Sequence, residues 1–126
     1  MDQPIIVRYL EENEKPDRWA IVEPLTFETP AGTVEVPAGF ITDFASVPVF
    51  LWGFFPPIGR HNRACVLHDY WYDNRLFEDS LGQEAARRLA DDELLARMNE
   101  ARPHRKIRNY CMYLACRWFG RSWWIN

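Results

Sequence analysis

An α+β fold, with a small N-terminal antiparallel β-sheet ahead of a helical core, is predicted for this 126-residue chain by three features of its residue order. Apolar and polar residues alternate over the first forty positions, apolar residues recur at helical spacing beyond position 60, and proline and glycine gather where these stretches meet. The length suits one domain. A content of 48% hydrophobic and 15% aromatic residues is enough to fill a single core, which excludes an intrinsically disordered chain.

Taken in order, Ile5-Ile-Val-Arg-Tyr-Leu10 is β-branched and apolar, Glu11 to Asp17 is a charged turn containing proline, and Trp19-Ala-Ile-Val22 resumes the extended pattern, giving two strands. Leu25-Thr-Phe-Glu-Thr29 and Val34-Glu-Val-Pro37 alternate in polarity on either side of Pro30 and Gly32 and predict a hairpin. Ser46 followed by Pro48 is the N-cap and first-turn chemistry of a short helix through Phe50, Leu51 and Trp52, which Pro56, Pro57 and Gly59 stop. From Arg60 to about Asn74 no breaker intervenes, and Ala64, Leu67, Tyr70 and Trp71 keep helical spacing. A second helix is expected from Gln83 to about Asn99 on Ala86, Leu89, Ala90, Leu94 and Met98, and a third from His104 to Phe119, with Pro103 before it and Gly120 closing it. The chain thus reads as one domain over 1–126, with sheet over 1–40, loop and short helix over 41–60, helical core over 61–120 and a Trp-rich tail over 121–126.

Charge is distributed unevenly. Met1 to Glu100 holds nine basic and eighteen acidic residues, whereas Ala101 to Asn126 holds six basic residues and no acidic one. With Trp118, Phe119, Trp123, Trp124 and Ile125 interleaved, that tail suits an anionic membrane surface. The alternative is a helix docked by its aromatic face with its basic face in water. The tail carries no nucleic-acid motif, so no specific nucleic-acid partner is expected. Three cysteines, Cys65, Cys111 and Cys116, do not make a disulfide framework. No signal-peptide pattern stands at Met1 to Lys15, and no run approaches the roughly 20 apolar residues that span a bilayer, so a soluble product is expected.

The residues that point to chemistry are His68 and Asp69, adjacent on the first long helix, and Asp91 on the next. A short connection favours antiparallel packing, which brings Asp91 beside His68 to accept a hydrogen bond from the ring, fix its tautomer and leave the other nitrogen as a base. Asp69, about 100° further round the helix, is then placed to ligate a hard cation such as calcium with oxygens of the preceding loop, where Asp43 is the best candidate. Each residue also has a plainer reading: His68 as a packed histidine, Asp43 with Ser46 as a capping turn, and Asp91 with Asp92 as a solvated helix face.

Two resemblances add to this. Gly39-Phe-x-Thr-Asp-x-Ala-Ser-Val-Pro48, Phe55-Pro-Pro57, Gly59-Arg60, Ala64 and Leu67-His-Asp-Tyr-x-Tyr72 resemble a family of small proteins of unknown function from tailed bacteriophages and prophages, over Val36 to Gly120. Ala64-Cys-x-x-His-Asp-x-x-Tyr-x-Asn74, with Asp91, Leu94, Met98, Cys111 and Ala115-x-Arg-x-Phe-Gly120, is similar to the prokaryotic branch of the secreted phospholipase A₂ superfamily. That second likeness implies a three-helix catalytic core in which His68 is the general base, Asp69 binds calcium, Asp91 partners the imidazole and Tyr72 donates a hydrogen bond to that partner. The glycine-rich calcium loop of that superfamily is replaced here by Thr42-Asp-Phe-Ala-Ser46.

Together these readings imply a phage-encoded, calcium-dependent lipid or ester hydrolase, made in the host cytoplasm, with Phe50 to Phe55 and the Trp-rich tail as contacts to the lipid surface. The alternative is a non-enzymatic virion, tail-associated or assembly protein that meets other phage structural proteins on the same scaffold. A metal-dependent phosphohydrolase using His61, His68, Asp69 and Asp91 or Asp92 is a weaker third, because that architecture needs more helix than follows Asp69.

Overall fold

The structure, a computed structural model, describes residues 5–9, 19–42, 62–101, 103–121 and 124. Its elements are β1 (Val7–Tyr9), β2 (Trp19–Ile21), β3 (Leu25–Thr29), β4 (Gly32–Val36), β5 (Ile41–Thr42), α1 (Asn62–Asn74), α2 (Glu78–Leu81), α3 (Gln83–Ala101), a 3₁₀ turn (Pro103–Arg105) and α4 (Lys106–Phe119). This is an α+β fold with the strands first. The predicted short helix over Ser46 to Trp52 lies outside the described residues, and α2 is an element the sequence pattern did not announce.

The strands divide between two antiparallel sheets, ordered β1-β2-β5 and β3-β4. Alternation sets the β3–β4 register: Leu25 pairs with Val36 and Phe27 with Val34, all four buried, while Thr26, Glu28, Thr33 and Glu35 face outward. The Thr29 hydroxyl closes the turn, accepting from the Ala31 and Gly32 N–H groups at 3.2 and 3.1 Å and donating to the Gly32 carbonyl at 2.6 Å. The hairpin's apolar face packs with Ile21 of β2 and with Val66, Leu67 and Trp71 of α1 in one core cluster. Arg97 of α3 ties it down further: its guanidinium lies 5.2 Å from the Phe27 ring centre and donates to the Glu28 carbonyl at 2.7 Å.

A second cluster joins the three long helices through Ala64 and Cys65 of α1, Leu94 and Met98 of α3, and Met112 and Cys116 of α4. Early residues of α1 meet late residues of α3, and Tyr72 meets Arg87, so α1 and α3 run antiparallel as expected. Gly82 makes the reversal between α2 and α3 with φ 88°, a conformation that side chains rarely adopt, and its N–H bonds the Glu78 carbonyl at 2.8 Å.

Gly120 differs from its expected role. Its φ of −73° and ψ of −19° are right-handed, so it does not end α4 by a left-handed turn. A methyl group there would press on the Cys116 carbonyl and come 2.8 Å from the Tyr72 hydroxyl, so glycine is required for close approach instead. None of the three cysteines is in a disulfide, in keeping with the absence of a disulfide framework. Among the described residues no helix is long and apolar enough to cross a membrane.

Candidate active site

Helical spacing decides which polar groups enter the junction of α1, α3 and α4. His68 and Tyr72 stand one turn apart on α1, and Arg87 and Asp91 one turn apart on α3, so each pair points the same way. The His68 and Tyr72 rings lie 4.3 Å apart. His68 is 2% exposed and Asp91 is fully buried.

Asp91 is the hub. Its Oδ1 lies 2.6 Å from His68 Nε2 and accepts the Tyr72 hydroxyl at 2.6 Å, while its Oδ2 accepts from Arg117 Nη1 at 2.9 Å. Arg87 Nη1 stands 3.6 Å from Oδ2 and also donates to the Tyr72 oxygen at 3.3 Å and the Cys116 carbonyl at 3.1 Å. Arg117 continues outward to Glu84, a largely exposed residue on α3. A carboxylate can only accept, so the proton between Asp91 and His68 sits on Nε2, and Nδ1 is the nitrogen that carries the basic lone pair when the ring is neutral.

Electrostatics favour the charged carboxylate. Burial alone pushes the Asp91 carboxyl up, but the hydrogen bond and charge of His68, with the bonds from Tyr72 and Arg117, outweigh it and hold the group below its ordinary 3.8. Tyr72 moves the opposite way: burial first, then the Asp91 charge and hydrogen bond, raise its hydroxyl far above the ordinary value and keep it a donor. Because the folded-state value of Asp91 is depressed, its contribution to stability is complete above the unfolded value and is lost as pH falls through the folded one. Urea midpoints are therefore expected to drop below pH 4, and Asp91→Asn, which does not titrate, to flatten that part of the acid slope; an unchanged slope would separate Asp91 from acid unfolding.

His68, Asp91 and Cys116 form a group of ligand type, their nearest ligand atoms within 4.8 Å of one another. They do not fit a metal ion. The carboxylate is already saturated by donors, two guanidinium groups add positive charge, and burial pushes the Cys116 thiol well up and away from the thiolate that a metal needs. Calcium in particular asks for six to eight oxygen ligands, of which this trio supplies only the Asp91 carboxylate.

The structure thus brings together three of the five residues that the sequence singles out: His68, Asp91 and Tyr72. Asp69 follows His68 on α1, half-buried, and its charge reaches the Cys116 thiol. Asp43 lies outside the described residues, as do Phe50 to Phe55 and His61. Asp91 is not part of a solvated face, although Asp92 is exposed. Trp124 is not at the surface either: it is 1% exposed, edge-on to Tyr72 with ring centres 5.1 Å apart. Sequence reasoning gave no role to Arg87 and Arg117. Arg87 carried a faint signal, standing four residues before Asp91 on one helix face.

The family comparison bears on the same region. A family model described as a protein of unknown function, DUF1353, matches residues 19–116. The chain belongs to this family. The DUF1353 match takes in β2 through most of α4 and contains His68, Asp69, Tyr72, Arg87 and Asp91; Arg117 follows its last residue. No curated protein and no solved structure matches the chain.

Proposed function

We propose that this DUF1353 chain is a phage-encoded hydrolase of carboxylic esters, lipid esters included, of the phospholipase A₂ kind, with His68 as its general base. The observation that carries the reading is the 2.6 Å bond from His68 to a buried carboxylate that Tyr72 and Arg117 also hold in place. That bond keeps the Nε2 proton on the ring, so Nδ1 takes a proton from water as the water oxygen attacks the ester carbonyl. Asp91 stabilises the imidazolium so formed, and the proton passes from Nδ1 to the departing alkoxide, leaving acid and alcohol. Tyr72, Arg87 and Arg117 are positioning residues: they fix the carboxylate without meeting substrate. Calcium held by Asp69 and Asp43 would supply Lewis-acid polarisation of the ester carbonyl.

The 2% exposure of His68 favours a second reading, in which the network is a structural staple of a virion, tail or assembly protein. The two separate in one assay. The full chain is incubated with phosphatidylglycerol vesicles and with an aryl ester, in calcium or in chelator, beside His68→Gln and Asp69→Asn. The hydrolase reading expects turnover that His68→Gln lowers by about 10²–10⁴-fold with the fold retained; Asp69→Asn removes only the calcium-dependent part. No turnover by the wild type favours the structural reading, and turnover indifferent to His68→Gln overturns His68 as the base.

A further inference from the structure

The outward face of α4 is apolar. The helix docks through Asn109, Met112, Ala115 and Cys116, yet on the opposite side Ile107 is 83%, Tyr110 50% and Trp118 70% exposed. Exposed Cys111 and half-buried Leu114 complete the stripe at three- and four-residue spacing. From Ile107 to Trp118 it runs about 16 Å, at roughly 1.5 Å of rise per residue step. The expectation of a helix docked by its aromatic face is thus corrected at Trp118 and Phe119, which are exposed, while the basic Lys106, Arg108 and Arg121 are exposed to water beside the stripe. Arg105, Lys106 and Arg108 also line an open depression at its N-terminal end.

We propose that this face of α4 docks on an anionic lipid bilayer, with the helix lying in the plane of the interface. Charge selects the occupant. Positions 101–126 contain six basic residues and no acidic one, so a second copy meeting this face would bring like charge to like. An anionic headgroup layer complements the basic margins, each cation near it strengthening binding, while Trp118 and Tyr110 are ring types that settle at headgroup level and Ile107 enters the acyl boundary. The inference does not rest on ester hydrolysis, because binding is read without turnover.

The test is co-sedimentation of the full chain with vesicles of phosphatidylcholine alone and of phosphatidylcholine with phosphatidylglycerol. Binding is expected on the anionic vesicles, weakened by added salt, and lowered roughly tenfold or more by Lys106→Glu with Arg108→Glu. Ile107→Ser with Trp118→Ser removes it; both side chains are exposed, and circular dichroism verifies that the fold persists. The proposal is overturned if the wild type ignores anionic vesicles, if neutral vesicles bind equally well, or if the Ile107→Ser, Trp118→Ser variant binds like wild type. A wild-type dimer in solution that these two substitutions convert to monomer assigns the stripe to self-association, and retention of an acidic protein in place of vesicles assigns it to that partner; either result also overturns it.

Discussion

Asp91→Ala is expected to destabilise the protein by about 3–5 kcal/mol, the range for removing one member of a buried ionic network. The carboxylate receives His68, Tyr72 and Arg117, and Arg87 stands close by, so its loss leaves two guanidinium groups without their buried counter-charge and two hydrogen-bond donors without an acceptor. Arg87 is the most exposed to this loss, being 4% accessible with its Nε already lacking a hydrogen-bond partner. Asp91→Asn keeps an acceptor oxygen and removes only the charge, so it is expected to fall between wild type and Asp91→Ala. Urea unfolding followed by circular dichroism measures all three. A loss below about 1 kcal/mol in Asp91→Ala would mean that the hub contributes no more than a surface pair.

Trp71→Ala is expected to cost a similar amount, about 3–5 kcal/mol, through a different mechanism. Trp71 is fully buried, meets the Phe77 ring edge-on at 5.2 Å between centres, and donates its indole N–H to the Leu76 carbonyl at 3.0 Å. It belongs to the cluster that holds the β3–β4 hairpin on α1, so the cavity opens where sheet and helix join. Trp71→Phe keeps most of the packing and leaves the Leu76 carbonyl without that donor, an effect of about 1 kcal/mol. Thermal melts rank the variants, and hydrogen exchange locates the damage. Faster exchange at the Leu25–Thr29 and Gly32–Val36 amides is the expected signature in Trp71→Ala.

Local periodicity made much of this fold legible. The alternation of Leu25, Phe27, Val34 and Val36 gave the hairpin and its buried face, and the spacing of Ala86, Ala90, Leu94 and Met98 gave α3. The short link between α1 and α3 implied antiparallel packing, and from that the meeting of His68 and Asp91 followed. Other features depended on contacts that no local pattern encodes. Arg117 reaches Asp91 across 26 positions, and only the packing of α4 on α3 brings them together. The face by which α4 docks was equally hidden, because Ile107, Leu114 and Trp118 on one side are as apolar as Met112, Ala115 and Cys116 on the other. The Trp-rich tail left Trp124 open between a membrane contact and a docked aromatic, and the Tyr72 ring gives it a buried seat. Gly120 has the position of a helix terminator, but Tyr72 is what excludes a side chain there.

A single carboxylate bonded to residues from three helices has a consequence for how the protein matures. The imidazole comes from α1, its acceptor from α3 and the outer clamp from α4, so the full set of bonds to the carboxylate needs all three segments. A nascent chain that has not yet delivered Arg117 can pair His68 with Asp91 but lacks the bond that holds the second carboxylate oxygen, so the clamp on the dyad closes only when the last long helix has seated.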